Sequence, residues 1–248
     1  MSERLRIAVC NLQGGVGTTR GWWHYLSTGW RYWLPHGNGM VLEAARFLRE
    51  ERVDLALCSE VENASRRCCR VDQARLLADA AGLRHVLFFE TFRLGERIRQ
   101  GNAVLARYPL ARMGNHRLPG RGQPRYLSEA SLALGRGALR CYVTHLSLEQ
   151  KFRLRQIRQL EAFLGESDEP RVLGGDFNVS HRAELELLRD SPLTQAISPA
   201  TFPSWKPRRH LEHLFASRHL HIERVRVFER FRFSDHLPLL VDVALEDV

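Results

Sequence analysis

An α/β fold, with two β-sheets packed face to face and helices outside, is what this sequence predicts, and three observations predict it. Short apolar strand-like runs alternate with helix-period patterns from end to end. Some successive strands are joined by hairpin signals and others by helical stretches. No repeat, low-complexity tract or Pro/Gly/Ser-rich linker interrupts the 248 residues, so 1–248 reads as a single domain. The pattern leaves strand order open.

Each element has its own signal. Leu5–Cys10 reads as a buried strand, and Val41, Ala44, Ala45 and Leu48 then fall at i, i+3, i+4 and i+7 on one helical face. Val53–Ser59 is strand-like. Gln73–Gly82 reads as a helix closed by a glycine cap, followed by a strand at Arg84–Glu90. Asn102–Ala106, Ser128–Leu134 and Leu139–Thr144 continue the strands, with Gly135–Gly137 turning the last pair as a hairpin. Ser147-Leu-Glu-Gln150 has capping-box spacing and opens a helix. Leu154, Ile157, Leu160 and Leu164 form its apolar side, and Lys151, Arg153, Arg155 and Arg158 read as a solvated basic face. Arg171–Gly174 is a strand, Arg182–Arg189 a helix, and three strands follow near 211–215, 222–228 and 238–244.

Composition bounds the function. A hydrophobic content of 44% is ordinary for a globular chain and excludes the disordered class. A formal net charge of +9 favours an anionic partner. Lys151 and Lys206 are the only lysines, leaving 37 − 2 = 35 arginines. Their planar forks suit phosphate, although genome base composition produces the same bias. Cys10, Cys58, Cys68, Cys69 and Cys141 are odd in number and lack CxxC spacing, and three of them lie in apolar runs, which fits a reducing compartment. With no signal-peptide apolar region and no 18-residue apolar run, a soluble cytoplasmic protein is expected.

Polar residues collect at the strand ends, where a packed scaffold can aim them into one cleft. They are Asn11-Leu-Gln13, Ser59-Glu60, Gly101-Asn-Ala103, Thr144-His145, Gly174-Gly-Asp-Phe-Asn178 and Ser234-Asp-His-Leu-Pro238. Each alone has a bland explanation: a lone His at a strand end is usually structural, and a lone Asp-x-Asn is usually a turn. Their joint order, across residues 5–245, resembles the endonuclease/exonuclease/phosphatase superfamily, and GGDFN followed by SDH is its most specific part.

That resemblance implies a four-layer α/β sandwich and a divalent-metal-dependent hydrolase of phosphate esters. Mg²⁺ is the implied cofactor, with Mn²⁺ the alternative. A phosphodiester repels its nucleophile, so the chemistry needs charge neutralisation and an activated water, and Mg²⁺ prefers oxygen ligands. Glu60 matches the metal-binding glutamate, with Asn11, Gln13 and Asp235 as further metal-site residues. Asp176 and Asn178 match the residues that orient water and phosphate. His236 matches the catalytic histidine, which needs a carboxylate partner. His145 matches the histidine that contacts the phosphate or protonates the leaving group, and Asn102 and Arg125 fall at substrate-binding positions.

Two positions depart from the family pattern. The histidine's usual aspartate partner is replaced in His210-Leu-Glu-His-Leu-Phe215, where Glu212 keeps the charge but adds a methylene, a displacement of roughly 1–1.5 Å. His213 is the alternative partner. Gln13 stands where some relatives carry an acid. Two further motifs are decoys. Gly14-Gly-Val-Gly-Thr-Thr19 lacks the lysine of a phosphate-binding loop, and His210, Glu212 and His213 lack zinc spacing.

Trp22, Trp23, Tyr25, Trp30, Tyr32 and Trp33 crowd one segment flanked by Arg20 and Arg31. It reads as a packed loop over the sheet edge, as a stacking platform for bases, or as a peripheral membrane contact through residues 22–33. The substrate class stays open among nucleic acid, phospholipid and phosphometabolite, with no obligate protein partner evident. The alternative from another class is a catalytically silent module that binds nucleic acid or anionic lipid. It predicts a broken constellation, whereas the six central positions, Glu60, His145, Asp176, Asn178, Asp235 and His236, are intact.

Overall fold

A computed structural model describes residues 3–135, 137–165, 168–179, 181–188, 191–197 and 199–245. Arg136 of the expected hairpin turn and Arg189 of the expected helix lie outside the described residues. Among the described residues, twelve strands form two mixed sheets. The first sheet contains β1 (Glu3–Asn11), β2 (Leu55–Glu62), β3 (His85–Leu94), β4 (Ile98–Ala106), β11 (Leu220–Val227) and β12 (Leu239–Leu245), in the order β11-β12-β1-β2-β4-β3. The second contains β5 (Leu110–Leu118), β6 (Arg125–Leu134), β7 (Gly137–His145), β8 (Arg171–Asp176), β9 (Leu193–Ala196) and β10 (Glu212–Ser217), in the order β5-β6-β7-β8-β10-β9.

Alternation along the strands splits the apolar residues among three cores. Ile7, Val9, Leu57 and Val104 of the first sheet meet Leu132, Val143, Val172 and Leu214 of the second. The opposite face of the first sheet (Ala8, Ala56, Leu105) packs under α2 (Gly39–Glu50) and α3 (Gln73–Ala81) through Val41, Phe47, Leu48 and Leu77. The outer face of the second sheet (Leu127, Tyr142, Leu173, Phe215) packs under α4 (Gln150–Phe163) through Ile157, Leu160 and Leu164. Helix, sheet, sheet, helix is the expected four-layer sandwich. Among the described residues, no helix is long and apolar enough to cross a membrane.

Three local expectations are corrected. Ser147 does not cap α4: Glu149 is the N-cap without a side-chain cap bond, and Ser147 Oγ accepts from the Glu149 N–H at 3.2 Å. Arg153 is not on a solvated face. It is fully buried and forks onto Glu184 at 2.7 and 3.0 Å while also donating to the Ser147 and Leu148 carbonyls. The segment after β8 is a 3₁₀ helix over Arg182–Leu188. Strands β5 and β9 were not expected. Both lie at sheet edges, β5 buries only Leu118, and β9 has four residues, so neither carries a clear alternating apolar signal.

Candidate active site

Strand register delivers the polar residues to one place. In the second sheet, His145 of β7 pairs with Asp176 of β8, and Asp176 pairs with Glu212 of β10. Three neighbouring strands therefore present His145, Asp176 and Glu212 at one level. In the first sheet, Asn11 of β1 pairs with Ser59 of β2, and the next residue, Glu60, sits in a bulge with φ +53°. The bulge turns Glu60 out of the ladder and into the cleft where the two sheets meet.

The glycines of Gly174-Gly175 permit that meeting. A Cβ on Gly174 would stand 2.7 Å from Leu57 Cδ1 and 2.9 Å from Val9 Cγ2, closer than packed carbons allow. Gly175 has φ +152°, and a Cβ there would collide with the Thr144 carbonyl. The chain then turns through Asn178 at φ +51°, whose N–H donates to Asp176 Oδ1 at 2.9 Å and whose side chain holds the Leu146 carbonyl at 3.0 Å.

Asn11 joins the two sheets. Its Nδ2 donates to Asp176 Oδ2 at 3.0 Å and to Glu60 Oε1 at 3.2 Å, while its oxygen accepts from the Gln13 N–H. His236 Nδ1 lies 2.6 Å from Glu212 Oε1, and its Nε2 lies 3.9 Å from Asp176 Oδ2. His145 is held differently. Arg125 Nη1, which can only donate, lies 2.9 Å from its Nδ1, so Nδ1 accepts and the proton sits on Nε2. That Nε2 is 3.5 Å from Asp176 Oδ2 and 3.7 Å from Glu60 Oε1.

Electrostatics separates the two histidines. Burial disfavours the His236 charge, but the Glu212, Asp176 and Asp235 carboxylates overcome it and hold the imidazole well above its ordinary range. His145 is driven well below that range by burial, then by Arg125 and His236, and is neutral. Asp176 is pushed up to about 7, first by burial, with Glu212 and Glu60 adding repulsion against the pull of His236. Burial and then Asp235 raise Glu60 as well.

Gln13 and Asn102, expected at the metal and at the substrate, have their side chains committed elsewhere. Gln13 takes φ +49°, donates to the Tyr32 hydroxyl at 2.6 Å and accepts from the Thr18 N–H at 2.9 Å, which fixes the glycine-rich turn. Asn102 is buried and donates to Ser128 Oγ and the Val143 carbonyl, tying β4 to the opposite sheet. His213 has both ring nitrogens engaged, by Gln195 and by the His210 carbonyl, so it neither replaces Glu212 nor completes a zinc set.

One side chain at the site had no sequence signal beyond its aromatic neighbourhood. The Tyr25 hydroxyl donates to Asp235 Oδ2 at 2.6 Å, and Ser234 Oγ donates to Asp235 Oδ1 at 3.1 Å. Phe202 packs on the His236 ring at 4.9 Å.

The donor set fits a divalent cation. Four carboxylates, Glu60, Asp176, Glu212 and Asp235, converge against Arg125 and His236, and two of those acids are held above their ordinary range by burial. Ligand atoms of Asp176, Glu212 and His236 lie within 4.8 Å of one another. The short Glu212–His236 bond occupies Nδ1 of that trio, and the Asp235 carboxylate stands close enough to Glu60 to raise its carboxyl.

Residues 42–236 match the endonuclease/exonuclease/phosphatase family. Solved structures share the fold at low sequence identity. An endonuclease/exonuclease/phosphatase from Beutenbergia cavernae DSM 12333 is 20% identical with a TM-score of 0.71, covering 98% of this chain and 72% of its own. A mannosyl-6-phosphatase from Bacteroides thetaiotaomicron VPI-5482 is 15% identical with a TM-score of 0.70, covering 96% and 99%. The endonuclease domain of a telomere-specific non-LTR retrotransposon is 13% identical with a TM-score of 0.63, covering 99% and 100%. No curated protein matches the sequence.

Proposed function

This chain belongs to the endonuclease/exonuclease/phosphatase family, and from that membership we propose that it is a divalent-metal-dependent hydrolase of phosphate esters acting through an activated water. The observation that carries the reading is the joining of the Glu212–His236 pair, Asp176 and Glu60 in one cleft, with Asn11 bridging the two acids. The fold neighbours include a phosphatase and an endonuclease domain, so monoesters and diesters both suit the reading.

Glu60 and Asp235 would hold the metal, Mg²⁺ by preference for an all-oxygen set and Mn²⁺ as the alternative. When bound, the cation supplies charge neutralisation on the phosphate and on the leaving oxygen. The chain's own residues do the rest. Ionised Asp176, held in place by the Asn11 amide and the Asn178 N–H, orients the water and takes its proton as the new P–O bond forms and the ester P–O bond breaks. His236, charged and clamped by Glu212, presents its Nε2 proton to phosphate oxygens that gain negative charge. Neutral His145, with its Nε2 proton pointing into the cleft, donates a hydrogen bond to the phosphate or the leaving oxygen. Arg125 fixes that tautomer and adds positive charge.

The test is metal-dependent hydrolysis across bis-p-nitrophenyl phosphate, plasmid DNA, RNA, sphingomyelin and phosphoinositides. Asp176→Ala and His236→Ala run beside the wild type. Turnover that needs metal and is lost in both variants supports the reading; wild-type rates in either variant would overturn it.

A further inference from the structure

The segment between the glycine-rich turn and α2 is built with two faces. Helix α1 (His24–Thr28) continues through Gly29 into a 3₁₀ turn ending at Tyr32. Tyr25 and Tyr32, seven residues apart and so on one side, reach inward to Asp235 and Gln13. Arg31 donates to the Val16 carbonyl and Arg67 to the Tyr32 carbonyl, which fixes the segment from beneath.

The outer face is apolar. Trp23, Leu26, Trp30 and Trp33 follow one another at intervals of three, four and three residues, and all are exposed, Leu26 to 89%. Trp22 at 63% and Leu34 at 56% extend the patch. Among the described residues, six of the twelve large apolar side chains left exposed fall within these 13 positions, so this is a patch and not ordinary scatter. It adjoins the cleft: Trp22 stacks on Tyr25 at 5.8 Å and meets Trp205 edge-on at 5.2 Å.

Charge in the two chain segments that meet here has one sign. No Asp or Glu occurs from Arg4 to Leu42, nor from Ile197 to Leu211, the two segments that form this side of the mouth. Arg20, Lys206, Arg208 and Arg209 are exposed there, and none is ion-paired among the described residues. A rim of cations around tryptophan and leucine matches the layered chemistry of an anionic lipid surface, with phosphate outside and acyl chains beneath. Base stacking fits less well, because Leu26 and Leu34, both exposed, have no π-face.

We propose that the outer face of residues 20–34 docks this protein on an anionic phospholipid bilayer, with the active-site mouth at the headgroup level. The inference concerns binding and does not depend on catalysis.

Vesicle co-sedimentation of the full chain tests it, using phosphatidylcholine alone and phosphatidylcholine with about a third phosphatidylglycerol, alongside tryptophan fluorescence. Wild type is expected to sediment with the anionic vesicles with a blue shift, and to be released by high salt. Trp23→Ser/Leu26→Ser should weaken this partitioning about tenfold or more, and Arg20→Glu/Arg208→Glu should abolish the preference for anionic vesicles. Neither pair touches the residues assigned to the reaction, so both should keep wild-type hydrolysis of bis-p-nitrophenyl phosphate, which also reports folding. No sedimentation with anionic vesicles, or sedimentation unchanged in the first variant, overturns the proposal. So does binding of a single-stranded oligonucleotide, or self-association in sedimentation velocity, that depends on Trp23 and Leu26 while vesicles are ignored.

Discussion

Glu212 Oε1 and His236 Nδ1 lie 2.6 Å apart with both side chains buried, so the longer acid reaches the imidazole without a gap. Glu212 sits at the first position of β10, opposite Asp176, where the strand begins and the extra methylene can be absorbed. Replacing Glu212 by Gln keeps the size but removes the charge that holds the imidazolium. Steady-state rates are expected to fall by about 10²–10⁴-fold. Glu212→Asp withdraws the carboxylate by roughly 1.5 Å and should show a smaller loss. An unchanged rate in Glu212→Gln would remove this residue from the mechanism.

Asp176 supplies a pH test. Its carboxyl is held at about 7 against an ordinary 3.8, chiefly by burial. Between those values the folded protein keeps a proton that the unfolded chain has released. The resulting stabilisation is complete below pH 3.8 and lost as pH rises through 7. Without metal, Asp176→Asn should therefore melt higher than wild type at pH 8, by an amount on the order of a few kcal/mol in stability, and the two curves should converge toward pH 4. The same variant should be inactive. Thermal melts across pH provide the check, and a destabilised Asp176→Asn at pH 8 would contradict it.

Metal binding should appear as stability. Mg²⁺ at about a hundredfold above its Kd should raise the melting temperature by roughly 5–10 °C, and EDTA should reverse the rise. Glu60→Gln should retain the fold and lose most of this shift, because Glu60 and Asp235 are the proposed ligands. A full shift in Glu60→Gln would move the metal elsewhere.

The Arg153–Glu184 pair is a structural prediction away from the cleft. Both side chains are buried and bonded through two contacts. Arg153→Met takes the guanidinium away from the buried Glu184 carboxylate and should destabilise by about 3–5 kcal/mol in denaturant titration. The double variant Arg153→Met/Glu184→Leu should recover much of that loss. Rates per folded molecule should stay at wild type.

Legibility in the sequence followed the kind of signal. Asp176, Asn178, Asp235 and His236 stand in short motifs whose residue types are unusual beside apolar strands, so they were readable in advance. Edge strand β5 was not, because a strand with a single buried residue has no alternating apolar pattern to detect. Arg153 read as solvated because helical period reports spacing on a face but not what covers that face; Glu184, 31 residues away, covers it.

By itself the sequence determined the layered α/β architecture and the set of chemical groups available, since alternation and motif order are local and written in the chain. Only the tertiary structure decided what those groups do to one another. Asn11 reaches Asp176 across 165 positions, Tyr25 reaches Asp235 across 210, and Arg125 sets the tautomer of His145. Such pairings depend on strand register and on how closely two sheets approach at Gly174 and Gly175, and a hydrogen bond is made or lost over a fraction of an ångström.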